Sequence, residues 1–325
     1  MPLLEVSSLT VDYPTRRGRI RAVEDVSFSL EKGETLGLAG ESGSGKSTLG
    51  LSIIRLIPPP GVIVKGKIRI DGVDVVKLPE DKMRTIRGRK VAYIFQDPMT
   101  SLNPVKKIGA HFVELIQTHE PDTKKEGALE RTKKVLSSLG ILPERINDYP
   151  HQFSGGMRQR IMIGLGITLN PDLVIADEPT TALDVIVQAK ILDLLESLRK
   201  VYGMALILIS HDLSIILERC DKIIVMYGGN VVEYASSTVL HKNPLHPYTQ
   251  GLLRSIPNIE LSDQRLSAIP GSPPNMLYPP KGCRFSPRCQ QAEDKCHLKE
   301  PSMIDVGSNH FVRCFSAGEE GALVE

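Results

Sequence analysis

Short apolar runs separated by polar loops recur along the chain, and their period changes with position. Apolar residues alternate at Val26, Phe28 and Leu30, the pattern of a strand with one buried face. A second run, Thr35–Ala39, leads directly into a glycine-rich turn. The order predicts strand, strand, loop, and then a helix starting near Lys46. Later runs at residues 91–95, 173–176, 205–209 and 223–226 each end at a polar residue, which is how an α/β sheet presents its chemistry. Residues 100–170 carry no convincing strand. Stretches such as Glu126–Leu139, apolar at Leu129, Val135, Leu136 and Leu139, predict a helical insert there instead. Pro58-Pro59-Pro60-Gly61 predicts a turn before a strand around Ile68 and Ile70.

The C-terminal part differs in kind. Ten of the 23 prolines fall between Pro244 and Pro301, which disfavours a long helix or a central strand and suggests a tail without a core of its own. A boundary near residue 240 follows. The expected organisation is one domain over residues 1–240, with its helical subdomain at about 100–170, and an extension over 241–325.

Charge and composition narrow the function classes. Lys plus Arg number 40 against 38 acidic residues, and a net charge of +2 makes no electrostatic case for nucleic acid. The apolar runs stop short of the roughly 20 residues that span a bilayer, so any membrane association would go through another protein. Met1-Pro2-Leu3-Leu4-Glu5 lacks the basic flank and apolar stretch of a secretory signal, and the chain is expected in the cytoplasm. In a reducing compartment its five cysteines are expected as metal ligands or thiols, not disulfides.

Gly40-Glu41-Ser42-Gly43-Ser44-Gly45-Lys46-Ser47 fits the phosphate-loop pattern in full, after a strand and before a helix. Gly40, Gly43 and Gly45 let the backbone curl, with Ser42 and Ser44 between them, so that N–H groups and a helix N-terminus meet phosphate oxygens. Lys46 would neutralise the β- and γ-phosphates, Ser47 would ligate Mg²⁺ and Thr48 would touch the α-phosphate. The run Leu173–Ala176 ends in Asp177 and Glu178, a pair that would hold Mg²⁺ through water and activate the attacking water respectively. His211, after a further apolar strand, is placed to reach the γ-phosphate.

Ser154-Gly155-Gly156-Met157-Arg158-Gln159-Arg160 resembles the signature motif of ABC ATPases and precedes the Asp177 strand, as in that family. The resemblance implies a P-loop NTPase fold of ABC type: an α/β RecA-like core, an antiparallel β subdomain, a helical signature subdomain and here a Cys-bearing extension. It implies that Gln96 ligates Mg²⁺ and senses the membrane partner, that Ala182-Leu183-Asp184 is the D-loop, that His211 is the switch histidine and that Tyr13 stacks on adenine. Arg16-Arg17-Gly18-Arg19 reads either as a further nucleotide contact or as a solvated hairpin. In the family, Ser154, Gly155 and Gly156 would contact the γ-phosphate held by another subunit, so ATP joins two cassettes and hydrolysis releases them.

The segments 96–104, 180–185 and His246-Pro247-Tyr248-Thr249 resemble the first ATPase subunit of the oligopeptide/dipeptide importer family. That resemblance implies a peripheral protein on the cytoplasmic face of the membrane, a second, related ATPase as heterodimer partner, two transmembrane permease subunits and an extracellular solute-binding protein. Oligosaccharide and nickel importers share the family. Soluble ABC ATPases usually carry two cassettes or a long coiled-coil insert, whereas this chain has one P-loop and no such insert. An iron–sulfur regulatory protein using ATP as a ligand is a further alternative, weakened by Glu178 and His211.

Cys283, Cys289, Cys296 and Cys314 suit tetrahedral zinc or an iron–sulfur cluster. No tight Cys-x-x-Cys knuckle occurs. The segment Gly282–Cys289 resembles a tail that, in many members of the importer family, is associated with a [4Fe–4S] centre. Arg284, Arg288 and Arg313 are expected beside such a cluster, His297 and His310 at the surface or, alternatively, as substitute ligands, and Cys220 in the core.

Overall fold

The computed structural model describes residues 1–97, 101–181, 183–256 and 269–317. Pro98, Met99 and Thr100 of the segment after Gln96, Ala182 of the expected D-loop, and the last residues of the expected extension lie outside the described residues. In chain order the strands are β1 Leu4–Thr15, β2 Gly18–Leu30, β3 Thr35–Ala39, β4 Val62–Ile70, β5 Val73–Asp74, β6 Val91–Ile94, β7 Leu173–Asp177, β8 Ala205–Ile209, β9 Lys222–Tyr227, β10 Asn230–Ser236, β11 Ile304–Asp305 and β12 Phe311–Val312. The helices are α1 Lys46–Ile53, α2 Glu80–Ile86, α3 Ile108–His119, α4 Lys125–Ser138, α5 Gly155–Ile167, α6 Val185–Tyr202, α7 Leu213–Arg219, α8 Ser237–Lys242, α9 Pro247–Arg254 and α10 Asp294–Leu298.

The chain forms two compact units. One, here the P-loop unit, comprises Leu4–Leu30, Thr35–Arg69 and Leu208–Glu325. The other, the helical unit, comprises Met1–Leu3, Glu31–Glu34 and Ile70–Ile207.

In the P-loop unit, β1 and β2 form a long antiparallel hairpin from Leu4↔Leu30 to Thr15↔Gly18. The alternation read from Val26, Phe28 and Leu30 is real: all three are buried while Ser27 and Ser29 between them are exposed. Strand β3 is buried at every residue, which is why its sequence shows no alternation, and it pairs in parallel with β9. The β9–β10 hairpin turns through Gly228 and Gly229, both with positive φ, the geometry a two-residue hairpin loop requires. Strand β12 adds antiparallel to β10 at Glu233↔Val312 and Tyr234↔Phe311, and β11 adds to β12.

The extension has more of a core than its prolines suggest. Its regular elements are short, as expected, yet Tyr248 and Phe285 are buried against Tyr227, with ring centroids 4.6 Å and 5.1 Å from the Tyr227 ring. His310, expected at the surface, is buried: its Nε2 lies 2.7 Å from Glu233 Oε1. That carboxylate is wholly buried and also accepts the backbone N–H groups of Leu245 and His246, so three donors offset its desolvation. His297 is exposed and Cys220 is buried, both as expected.

In the helical unit, β6 and β7 pair in parallel with Ile94 opposite Ala176. The helical insert is present, and the segment predicted at Glu126–Leu139 is α4. Helices α3 and α4 pack through Val113, Ile116, Ala128 and Leu129. Helix α5 comes close to them at Gly164, where a Cβ would lie 2.5 Å from Leu139 Cδ1, so a side chain there would force the helices apart. Among the described residues no helix is long and apolar enough to cross a membrane.

Candidate nucleotide site

The phosphate loop follows β3, and α1 begins at Lys46 as the sequence predicts. Gly40 and Gly45 have φ of 142° and 104°. Glycine is required at both on two counts: those angles disfavour L side chains, and a Cβ would lie 2.2 Å from Met226 O at Gly40 and 2.2 Å from Ala22 O at Gly45. Gly229 N donates to Ser44 O, so the β9–β10 turn supports the loop from below. Lys46 Nζ donates to Gly40 O at 2.7 Å and Glu41 O at 3.0 Å, which folds its charge back over the loop. Gly45 at the N-cap has no side chain to cap α1, whose first N–H groups belong to Lys46, Ser47 and Thr48. A lysine charge, a curled backbone and an uncapped helix start together form a cradle for phosphate.

Tyr13, on β1 opposite Ile20, is half-buried, and its ring lies against Gly61 of the turn after Pro60. Arg16 and Arg17 form the exposed end of the β1–β2 hairpin, while Arg19 pairs with Asp12, which favours the solvated-hairpin reading. His211 follows β8 and is exposed; the next residue, Asp212, caps α7 by accepting from Ser214 N at 2.9 Å.

The helical unit assembles a second set of predicted residues. Asp177 ends β7, and its Oδ2 accepts from the Tyr93 hydroxyl at 2.6 Å. Burial first, and then the Asp177 charge, push the Tyr93 hydroxyl above the usual tyrosine range, so it remains a donor. Glu178 has φ 45°, unusual for a residue with a side chain, and its Oε2 accepts from Gln96 Nε2 and Thr181 Oγ1, both at 2.9 Å. The parallel β6–β7 register brings Gln96 and Glu178 together across 82 residues.

Ser154 caps α5, its Oγ accepting from Met157 N, and Gly155 and Gly156 form the first turn. Gly156 cannot carry a side chain without displacing Val187, because a Cβ would lie 2.6 Å from Val187 Cγ1. Gln159 is buried, and among the described residues its Nε2 has no hydrogen-bond partner. Asp184 caps α6 through Val187 N at 2.9 Å. The strand-end pattern identified Asp177 and Glu178, and the resemblance to ABC ATPases identified Gln96, the Ser154 motif and Asp184, but neither revealed the Tyr93–Asp177 bond. The only signal for it was a hydroxyl-bearing aromatic at an inward position of the strand before Gln96.

Cys283, Cys289, Cys296 and Cys314 are all half-buried and line one small cavity with Phe285 and Phe315. Cys283 N donates to Cys296 O at 2.8 Å, an approach that Gly282 permits: a Cβ there would lie 2.2 Å from the same carbonyl. Burial pushes the Cys283 thiol up to about 11 and raises Cys289, so both hold their protons unless a cation replaces them. Among the described residues no three His, Cys, Asp or Glu side chains are grouped so that they could hold a metal ion. Arg284 bonds to Gly228 O and Glu24, Arg288 to Glu41, and Arg313 to Val231 O, so these guanidinium groups have partners other than the cysteines.

Comparison with known proteins fits this arrangement. Residues 23–181 match the ABC transporter family and residues 232–296 the oligopeptide/dipeptide transporter C-terminal region. An oligopeptide transport ATP-binding protein, OppD of Bacillus subtilis, is 45% identical over 99% of this chain and 91% of its own. A dipeptide transport ATP-binding protein, DppD of Haemophilus influenzae, is 44% identical over 100% of this chain and 99% of its own. A dimeric ATP-binding cassette solved in a post-hydrolysis state with ADP and Pi superposes with a TM-score of 0.65 at 27% identity, covering 72% of this chain and 98% of that one. The chain belongs to the ATP-binding subunits of the ABC transporters, in the oligopeptide/dipeptide transporter family, and is an ATPase whose hydrolysis is coupled to transport.

Proposed function

We propose that this subunit powers the import of oligopeptides or dipeptides, working at the cytoplasmic face of a membrane with two permease subunits and an extracellular solute-binding protein. The observation that carries this reading is that similarity to oligopeptide and dipeptide transport ATP-binding proteins runs through the cassette and the extension alike. The functional division falls near residue 240, with residues 1–240 as the ATPase and 241–325 as the family-specific extension.

Lys46, Ser47 and Thr48 take the phosphates of ATP, and Tyr13 takes the adenine. Ser47, Gln96 and, through water, Asp177 would hold magnesium, whose charge would neutralise the β- and γ-phosphates. Glu178 is the base that orients the attacking water, and the bonds from Gln96 and Thr181 support that role by fixing its carboxylate. His211 meets the γ-phosphate. Ser154, Gly155, Gly156 and Gln159 serve the nucleotide of a facing cassette, with Asp184 beside them. That cassette is a second, related ATPase, which makes the active assembly a heterodimer.

The four cysteines hold a [4Fe–4S] cluster that staples the extension. Supporting this, the four thiols line one cavity walled by Phe285 and Phe315. The test of the transport reading is reconstitution of the full complex in vesicles with its binding protein. ATP turnover should rise with peptides; a rise with oligosaccharide or nickel and none with any peptide removes the peptide assignment.

A further inference from the structure

Glu41, the second residue of the phosphate loop, is held by the C-terminal extension. Its backbone N–H donates to the Tyr248 hydroxyl at 2.8 Å. Its carboxylate receives both ends of the Arg288 guanidinium, Nη1 to Oε2 at 2.7 Å and Nη2 to Oε1 at 3.1 Å. Its carbonyl accepts from Lys46 Nζ and from Ser44 N. Every polar group of this one residue is thus engaged, two of them by side chains more than 200 positions away.

The two clamping side chains are themselves fixed. Tyr248 is fully buried, and its ring packs against Tyr227 and Phe285. The Arg288 side chain is 5% exposed and donates also to Pro270 O at 2.8 Å and Tyr227 Oη at 3.3 Å. A planar fork with its hydrogen bonds satisfied in a buried setting is an orienting device, and Lys cannot reproduce it in full. Surface attraction is not an adequate account, because nothing in a solvated ion pair would require this burial.

We propose that Arg288 and Tyr248 are positioning residues for ATP binding: they hold Glu41, and through it the first turn of the phosphate loop and the resting place of Lys46. The extension is then part of the nucleotide site, and affinity for MgATP depends on it. Arg288 lies between Cys283 and Cys289, in the short turn Ser286–Arg288, so any reordering of the cysteine segment would reach the loop by the same route. This inference rests on the ATPase reading given above.

The test uses the chain assembled with its partner ATPase and permease subunits and MgATP, measuring Kd with a fluorescent ATP analogue, steady-state KM and kcat, and melting temperature with and without nucleotide. Arg288→Met should raise Kd and KM about tenfold while changing kcat less than about twofold, and Arg288→Lys should recover part of that loss. Tyr248→Phe and Glu41→Gln should shift Kd in the same direction, and Glu41→Gln with Arg288→Met should be no worse than Arg288→Met alone. Should Arg288→Met fail to fold, the milder Glu41→Gln and Tyr248→Phe decide the matter. Unchanged Kd in folded variants, with a lower melting temperature alone, would overturn the proposal. A wild-type chain that binds no MgATP would instead overturn the ATPase reading itself.

Discussion

The Tyr93 hydroxyl donates to Asp177 Oδ2 over 2.6 Å, from the strand adjacent to the one that Asp177 terminates. One carboxylate oxygen is thereby committed to the protein, and the orientation of the other is fixed. If Asp177 holds magnesium through water, Tyr93 lies one shell beyond it, so its loss belongs at the low end of the roughly ten- to hundredfold typical of groups that orient a metal's ligands. Tyr93→Phe should therefore raise the Mg²⁺ concentration for half-maximal ATPase about tenfold at near-normal stability. A magnesium titration identical to wild type would remove Asp177 from the metal site or Tyr93 from its support.

Glu178→Gln keeps an oxygen that can still accept from Gln96 and Thr181, so the local geometry survives while the basicity is lost. Turnover should fall by at least about a hundredfold, with nucleotide binding intact. The expected product is a stable ATP-bound dimer of cassettes, visible as a shift in size-exclusion chromatography with the partner ATPase present. Ready hydrolysis by this variant would exclude Glu178 as the base.

What could be read in advance follows from locality. The phosphate loop was legible because its glycines, lysine and serine are contiguous, and each need arises within a few residues. Gln96 and Glu178 were legible as separate strand ends, and the β6–β7 register then joins them. The grip of Arg288 and Tyr248 on Glu41 has no local periodicity to betray it. His310 was misplaced at the surface for a similar reason: the buried Glu233 it meets is 77 positions distant, and only the pairing of β12 with β10 brings them together. Proline content correctly ruled out long elements in the extension but said nothing of its core, which is assembled from Tyr227, Tyr248 and Phe285 on three separate segments.

The cysteine assignment predicts colour. Chain purified without oxygen should show broad visible absorption and about four irons per chain. Cys289→Ser should lose the iron and loosen residues 283–314 toward protease before the cassette itself is cut, since a bound centre contributes folding energy to the segment that ligates it. A colourless protein carrying one zinc would replace the cluster with a single ion.

Acid should destabilise the extension through His246. This residue is buried, its Nδ1 accepts from Tyr248 N at the start of α9, and burial lowers its affinity for protons to a pKa of about 4. The buried Glu233, whose carboxylate accepts the His246 N–H, pulls in the opposite direction but does not win; His310 faces the same carboxylate. Between the unfolded value of about 6.5 and the folded value of about 4, the unfolded chain binds a proton that the folded chain refuses. Stability therefore declines as pH falls through that window and is unaffected by this group above it. From pH 6.5 to 5 the loss is about 2 kcal/mol at most. His246→Asn keeps a good helix cap but cannot titrate, so urea unfolding of the variant should be flatter with pH over the same range. Parallel pH profiles for the two proteins would show that the proton uptake driving acid unfolding occurs elsewhere.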